Sequence, residues 1–323
     1  MNKCFITKLP SSIDNNNLPV LGQLKINVLK QSTLTNNESR CIALSTNDNI
    51  TVNVYGAHFT DSKLTSTVGN TKTITAADGV VYLFISNDTD AVLTIDNKYS
   101  LTMLAVGNSV NVTIDHPIYF DIDDIKYCTN LTRLELTKCP ISGDISVLNK
   151  LTNLTSLNLT KTNINGNISE VSNFTNLTAL RLSSSQISGN IDSLASLTKL
   201  DNLEGLKYMS LTGDMSKIPA NINFISQQGR KIDSNFTWTA GGRQNATLLA
   251  MEGAVPFDTV SMDNMLIAQA TCTFKSTAAP WEKTISVWEK TISVNGTRTS
   301  ASDAAVAAIQ NMGVTITGVT KQD

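Results

Sequence analysis

The sequence predicts a β-rich protein with α/β elements: a β-sandwich-like N-terminal domain, then a short solenoid of stacked repeats, then a βα C-terminal cap. Three observations predict this order. Apolar residues alternate with polar ones before residue 118, a tetrapeptide pattern returns at a constant interval after it, and helix signals separate apolar runs near the C-terminus. We therefore divide the chain into residues 1–20, 21–117, 118–230 and 231–323.

The first segment, residues 1–20, is polar and contains Asn15-Asn16-Asn17, Pro10 and Pro19. This composition predicts an extended peptide. Its first residues show neither the apolar stretch nor the small-residue cleavage site of a secretory signal, so ordinary secretion is not expected.

Short runs with a period of two residues fill the second segment, residues 21–117. Turn signals such as Asp78-Gly79 separate them, which is typical of a small all-β domain, and we expect its last strands to join the sheet of the repeats. The alternating apolar positions are Leu24, Ile26 and Val28; Ile50, Val52 and Val54; Leu93 and Ile95; and Val110, Val112 and Ile114.

The third segment, residues 118–230, repeats itself. Cys128-Thr-Asn-Leu131, Leu151-Thr-Asn-Leu154 and Phe174-Thr-Asn-Leu177 follow one another at a constant step, and the same later slots are apolar in each copy. This is the leucine-rich repeat pattern L-x-x-L-x-L-x-x-N-x-L, in which neighbouring copies must stack to bury their leucines. The apolar slots are Leu134, Leu136 and Ile141; Leu157, Leu159 and Ile164; and Leu180, Leu182 and Ile187, with Cys139, Thr162 and Ser185 in the Asn slot.

A second signature, Ile-x-Gly-x-Ile, follows each leucine pattern and begins at Ile141, Ile164 and Ile187. We expect a parallel sheet on one side of the stack and irregular segments on the convex side, with Asn163–Asn167 forming a turn. A fourth copy starts at Leu197 with one inserted residue. Phe120, Ile122 and Ile125 occupy repeat slots in an atypical first copy, as expected of a terminal unit.

In the last segment, residues 231–323, Ser300 to Asp303 resembles a helix start and Gly313 a helix stop. A second short helix is predicted from Ser261 to Ala270. The heptad Trp281-Glu-Lys-Thr-Ile-Ser-Val287 is duplicated at once, and an odd shift places the two copies on opposite faces of a strand. The second copy has the right distance to Val314, so we predict that Ile292, and not Ile285, lies in the main sheet.

Charge and motifs argue against catalysis and against nucleic-acid or membrane partners. The formal net charge is −2 without a basic cluster, and the longest apolar run, Val80 to Ile85, is too short to span a bilayer.

The five cysteines show no C-x-x-C spacing, and we expect Cys128 and Cys139 to be buried thiols. His58 and His116 lack a nucleophile signature. No enzyme, cofactor or resident metal is expected.

One acidic group leaves two interpretations. Asp121, Asp123 and Asp124 have the oxygen ligands of a calcium site, but they also fit the solvated slots of the first repeat, which is the interpretation we favour.

Polar residues alternate with the leucines of the repeats and should face out of the sheet. They form either a recognition surface or a merely solvated one, and the sequence leaves both open. The ladder lacks aromatic rings, so Trp238, Trp281 and Trp288 are the candidates for stacking on sugars, unless they are core residues. The predicted ladder consists of Arg133, Glu135, Thr137, Ser156, Asn158, Thr160, Ala179, Arg181 and Ser183.

Several terminal motifs join the repeats in a wider resemblance. They are Phe5-Ile-Thr-Lys-Leu-Pro10, Leu18-Pro19, Ile122-Asp-Asp-Ile125-Lys-Tyr127, Thr297 to Val306 and the closing Gly-Val-Thr-Ile-Thr. With the Ile-Ser-Gly-Asp/Asn-Ile repeats they resemble leucine-rich repeat structural proteins of gut Bacteroidota phages, including crAss-like phages.

This resemblance implies a non-enzymatic virion fibre or decoration protein of head or tail, assembled in the host cytoplasm and placed on the virion surface. It implies that Phe5, Ile6, Leu9 and Pro10 anchor the chain on other virion proteins and that the repeats face a host-surface protein or glycan. A homo-oligomer is expected.

Two other functions compete with this one. A bacterial leucine-rich repeat adhesin or interaction protein would need an export route, which the sequence does not show. A glycan-degrading spike would need a cleft with paired carboxylates.

Overall fold

The computed structural model describes residues 23–28, 41–60, 67–86, 90–106, 118–204, 209–222, 224–226, 235–244, 246, 248–272 and 291–322. The chain is β-rich and divides into two compact units, Met1–Gly143 and Asp144–Asp323. In the described ranges, no helix combines the length and the apolar character needed to cross a membrane.

The first unit contains two sheets. One is antiparallel throughout, with the strand order β10-β1-β8-β3-β6, and the other has the order β11-β9-β2-β7-β4-β5. The strands are β1 (Leu24–Val28), β2 (Cys41–Thr46), β3 (Ile50–Tyr55), β4 (His58–Thr60), β5 (Thr67–Gly69), β6 (Thr71–Ile74), β7 (Val81–Ser86), β8 (Ala91–Ile95), β9 (Leu101–Val106), β10 (Ile118–Tyr119) and β11 (Arg133–Leu136). Short 3₁₀ helices cover Ala76–Asp78, Lys98–Ser100 and Ile122–Ile125.

Strand β1 of this unit shows that the alternation of apolar and polar residues in the sequence corresponds to an alternation of buried and half-exposed side chains. Leu24, Ile26 and Val28 of β1 are buried and the residues between them are half-exposed, as expected of strands with one face on a core. The predicted strands at Ile50 and Leu93 are confirmed as β3 and β8. The prediction for Val110, Val112 and Ile114 lies outside the described residues.

Parallel pairing already begins in the first unit. β9 pairs in parallel with β11, with Leu104 opposite Leu134. The antiparallel strands of this sheet therefore join the first repeat strand, as the sequence predicts. Cys128 and Cys139 are buried, which confirms their interior slots.

β12 (Ser142–Asp144) lies where the two units divide in sequence, and the remaining strands belong to the second unit. They are β13 (Ser156–Asn158), β14 (Asn163–Asn167), β15 (Ala179–Arg181), β16 (Gln186–Asn190), β17 (Asn202–Glu204), β18 (Ser210–Asp214), β19 (Phe224–Ser226), β20 (Asn235–Thr237), β21 (Ala250–Pro256), β22 (Thr291–Arg298) and β23 (Thr315–Lys321). The helices are α1 (Thr259–Gln269) and α2 (Asp303–Asn311), with 3₁₀ helices at Ile145–Leu148, Ile168–Asn173, Ile191–Ser196, Met215–Lys217 and Ser300–Ser302.

The larger sheet of the second unit is entirely parallel. Its strand order is β13-β15-β17-β19-β21-β22-β23. Leu157 lies opposite Leu180, and Leu180 opposite Leu203, so residues in the same slot of successive repeats stack in one buried row. Each repeat thus buries its leucines against its neighbours.

A second parallel sheet, with the order β14-β16-β18-β20, corrects one expectation. The segment Asn163–Asn167 is strand β14, not a turn, so this side of the repeats is a regular sheet and not a set of irregular segments. Gly189 of the second signature has φ +117°, and a Cβ there would lie 2.5 Å from Asn167 Oδ1. The signature glycine thus makes room for the side chain of the preceding repeat.

The residue after each signature glycine also caps the 3₁₀ helix that begins at the next residue. The Asn167 side chain accepts a hydrogen bond from the Ser169 N–H at 2.9 Å, and Asn190 accepts one from the Asp192 N–H at 2.8 Å. Asp144 and Asp214 cap the preceding and following helices in the same way. Asp or Asn at this slot therefore has a structural cause, which the motif spacing alone did not reveal.

Strand–helix–strand units close the described chain, as predicted. The predicted helix at Ser261 is α1, whose first turn is capped by Asp258 accepting from the Ser261 N–H at 2.7 Å. Ile292 is buried and pairs with Met251 on one side and Ile316 on the other, which confirms its place in the main sheet. Ile285 lies outside the described residues.

Candidate interaction surface

The larger sheet of the second unit has a polar side opposite its leucines. In β13, β15 and β17 the middle residue is buried and the residues before and after it are half-exposed, because successive side chains of a strand point to opposite faces. We call this side the sheet face. It consists of Ser156, Asn158, Ala179, Arg181, Asn202 and Glu204, extended by the half-exposed Thr160 and Ser183.

The strand register arranges the sheet face in rows. Asn158 lies opposite Arg181, which lies opposite Glu204, with neighbouring strands about 4.8 Å apart. Thr160 donates its backbone N–H to Asn158 Oδ1 at 3.0 Å, which fixes the orientation of that amide. The row therefore presents an amide, a guanidinium and a carboxylate side by side.

The charged pair in this row is accessible. Arg181 Nε lies 3.0 Å from Glu204 Oε2, with side-chain exposures of 29% and 41%. Ion pairs exposed to this degree contribute about 0–1 kcal/mol to stability. Little free energy is thus lost when a ligand competes for either partner, so the pair suits recognition better than support of the fold.

The predicted ladder residues of the first unit behave differently. Glu135 is only 7% exposed, and its Oε1 lies 2.6 Å from Arg133 Nε. Arg133 is exposed and Thr137 is half-exposed. The Glu135 carboxylate is thus already engaged inside its own unit and is poorly placed to meet a ligand.

The three tryptophans divide between the core and undescribed segments. Trp238 is 2% exposed, donates its indole N–H to the Gly242 carbonyl at 3.3 Å, and contacts Phe257 edge-to-face with ring centroids 6.2 Å apart. Its ring is therefore not presented to sugars. Trp281, Trp288 and the anchoring residues Phe5, Ile6, Leu9 and Pro10 lie outside the described residues.

The acidic group of the first repeat is part of its backbone structure. Asp121 accepts a hydrogen bond from the Asp123 N–H at 2.9 Å, and Asp123 pairs with Lys126 at 3.4 Å. Burial raises the pKa of Asp124, an effect that Lys98 opposes and Asp121 and Asp123 reinforce. Within the described ranges, no group of three or more His, Cys, Asp or Glu residues is arranged to hold a metal ion.

Sequence reasoning missed two residues of the sheet face, Asn202 and Glu204. The signal was present, because Glu204 follows Arg181 by one repeat interval. The insertion in this repeat lies further on, after Glu204, so the spacing of the strand residues is still regular.

Comparison with known proteins gives partial likenesses to leucine-rich repeat structures. The BIR2 ectodomain from Arabidopsis thaliana is 29% identical over 34% of this chain and 57% of its own, with a TM-score of 0.29. The internalin InlF from Listeria monocytogenes is 18% identical over 63% of this chain and 66% of its own, with a TM-score of 0.31. The HAESA LRR ectodomain from Arabidopsis, in complex with an IDA peptide hormone ligand, is 17% identical over 56% of this chain and 33% of its own. Its TM-score is 0.37.

The chain spans less than two thirds of each of these three chains. No protein-family model and no curated protein matches the sequence. TM-scores of this size assign neither a family nor a ligand, so the function has to be argued from the residues themselves.

Proposed function

We propose that this chain is a non-enzymatic binding protein whose stacked repeats form a short leucine-rich repeat solenoid, and that the sheet face docks a segment of a partner protein. The observation that carries this proposal is the row Asn158, Arg181 and Glu204. It presents a hydrogen-bonding amide beside a half-exposed, weakly held ion pair on a parallel sheet. Such a row pairs readily with the polar backbone and charged side chains of an extended peptide.

A fixed array of this kind favours binding over chemistry. Leu157, Leu180 and Leu203 are fully buried beneath the row and hold its strands in register. Arg181 and Glu204 neutralise each other in an ion pair, and the sheet face holds no second carboxylate and no histidine that could form a general acid–base pair with Glu204. The sheet therefore positions groups for contact.

The sequence resemblance supports a particular setting for this binding. We place the chain on the surface of a phage particle, as a fibre or decoration protein that docks through its N-terminal residues and oligomerises with copies of itself. The sheet face would then meet a protein of the host surface. A bacterial leucine-rich repeat adhesin is the alternative setting, with the same face in use.

The setting is tested on purified particles. Mass spectrometry of density-gradient-purified phage from infected gut Bacteroidota cultures should detect the chain in a fixed ratio to the major capsid protein. Removal of residues 1–20 should abolish its incorporation. A chain that stays in the lysate and never copurifies with particles would overturn the virion assignment while leaving the binding proposal in place.

The binding role is tested with charge variants of the sheet face. Labelled chain should bind host cells, and Arg181→Glu should weaken binding at least tenfold because it places two acids side by side. Thr175→Glu, an exposed substitution in a turn of the same unit, should bind like the unaltered chain. Equal binding by Arg181→Glu and the unaltered chain would show that the sheet face is only solvated.

A further inference from the structure

The second sheet of the second unit has an exposed side of unusual composition. In β14, β16 and β18 the exposed positions carry amides and hydroxyls and no Asp, Glu, Lys or Arg. We call this side the amide face. It consists of Asn163, Asn165 and Asn167; Gln186, Ser188 and Asn190; and Ser210 and Thr212.

Strand pairing sets these side chains in rows across three strands. Asn167 lies opposite Ser188, and Ser188 opposite Ser210, in one row. A second row runs from Asn190 to Thr212. With strands about 4.8 Å apart, the amide face offers regularly spaced donors and acceptors on a parallel sheet.

Most of these side chains form no hydrogen bond with other described residues of the protein. Asn167 and Asn190 use their side-chain oxygens to cap 3₁₀ helices. The other six side chains form no hydrogen bond within the part of the chain that the structure describes, and all are exposed. They are Asn163, Asn165, Gln186, Ser188, Ser210 and Thr212.

The chemistry of the face selects its ligand. Buried Ile164, Ile187 and Leu211 alternate with the exposed residues, so the apolar side chains of these strands all point inward. An apolar partner would gain nothing here, and a charged partner would lose hydration without meeting an opposite charge. The matching ligand is uncharged, rich in hydroxyl groups and regularly repeating.

From this complementarity we propose that the amide face binds a neutral polysaccharide chain laid across β14, β16 and β18. Side-chain amides and hydroxyls both donate and accept hydrogen bonds, as sugar hydroxyls do. Each contact is weak, but a polymer that meets several rows at once binds through their combined effect. This site is separate from the sheet face and does not depend on its proposed function.

The test uses affinity electrophoresis of the full chain in gels containing a neutral glucan or a neutral mannan, with hyaluronan and polygalacturonate as acidic counterparts. At least one neutral polymer should retard the chain, and the acidic polymers should not. The triple variant Asn165→Ala, Ser188→Ala and Thr212→Ala should bind at least tenfold more weakly. The matched control, with alanine at the exposed turn positions Thr152, Thr175 and Thr198, should bind like the unaltered chain.

A single variant, Ser188→Glu, checks the requirement for neutrality, because one charge on β16, the middle strand of the three, should also cost at least tenfold in affinity. Circular dichroism melting should show that all variants remain folded. Equal retardation of the triple variant and the unaltered chain, or retardation by acidic polymers alone, would overturn the proposal. One further outcome would overturn it. The unaltered chain would bind no neutral polymer but form a dimer in analytical ultracentrifugation, and the triple variant would lose that dimer.

Discussion

At the scale of single residues, Gly189 shows why the second signature requires glycine. Its φ of +117° is unfavourable for other residues, and an added Cβ would press on the Asn167 side chain that caps the Ile168–Asn173 helix. We expect Gly189→Ala to lower the free energy of unfolding of the second unit by about 2–3 kcal/mol. Urea denaturation followed by circular dichroism measures it.

Gly241 provides the control for this substitution. Its φ of +75° is also positive, but nothing lies within 4 Å of the Cβ position. Gly241→Ala should therefore be destabilised only by backbone strain, which lowers the free energy of unfolding by about 1 kcal/mol. Equal losses at the two glycines would show that φ alone, and not the capping side chain, excludes other residues from the signature.

Another backbone position repeats without glycine. Lys138, Lys161 and Ser184 are spaced by the repeat interval and have φ of +57°, +57° and +58°. A non-glycine residue in this region costs about 1–2 kcal/mol of stability. Glycine avoids this cost, but it loses more conformational freedom on folding, which offsets part of the gain. Ser184→Gly should therefore stabilise the second unit by about 0.5–1 kcal/mol.

The same unfolding assay decides this prediction. Ser183→Gly, one residue earlier, is not at a positive φ and should be destabilising. A loss of stability in Ser184→Gly as large as that in Ser183→Gly would mean that the left-handed turn is held by contacts of the serine side chain.

At the scale of elements, Asp263 of α1 is the residue that ties this helix to the segment before α2. Its carboxylate accepts hydrogen bonds from the Ser302 hydroxyl at 2.6 Å and from the Thr299 hydroxyl at 2.6 Å. Burial acts to raise the pKa of Asp263, but these hydrogen bonds outweigh it and hold the pKa below its ordinary range. The ionised carboxylate is thus the form that the folded chain prefers.

This preference gives a pH dependence with a definite sign. A carboxyl group with a folded-state pKa below its unfolded value of about 3.9 stabilises the fold above that pH, and the contribution is lost as pH falls further. Asp263→Asn should lose about 1–3 kcal/mol at pH 7 and show a smaller fall in stability between pH 5 and pH 3 than the unaltered chain. Urea unfolding at pH 7, 5 and 3 measures both, and identical pH profiles would contradict the assignment.

The elements differ in how far the sequence predicted them. The leucine row of β13, β15 and β17 followed from the constant repeat interval, since each copy must bury the same slots. Strand β14 was missed because Asn163-Ile-Asn-Gly-Asn167 has weak intrinsic strand preference. Lateral pairing with β16 makes it a strand, and a sequence read one copy at a time does not show that pairing.

The candidate surfaces show the same limit. The alternation that placed Arg181 on the sheet face is local, so it was readable from the sequence. The same local alternation placed Glu135 on the ladder, where the structure buries it, and the sequence left open whether Trp238 stacks on sugars or lies in the core, where the structure places it. Sequence reasoning found the sheet that presents the side chains but not which of them remain exposed.

At the scale of the whole molecule, the buried thiols report on each unit separately. Cys41, Cys128, Cys139 and Cys272 are free and buried, the first three in the first unit and Cys272 in the second. Burial raises the pKa of Cys128 to about 11 and raises that of Cys139 still further, so neither forms a reactive thiolate at neutral pH. Their reaction therefore requires local or global opening.

In a Cys4→Ser variant, which leaves these four thiols, we expect no rapid reaction with Ellman's reagent in native buffer at pH 8 and four equivalents in denaturant. At intermediate urea concentrations, mass mapping of the modified cysteines should show whether Cys272 reacts apart from the other three. Separate onsets would mean that the second unit opens independently. Rapid modification of Cys128 or Cys139 in native buffer would contradict the burial of the first repeat on which the stacking depends.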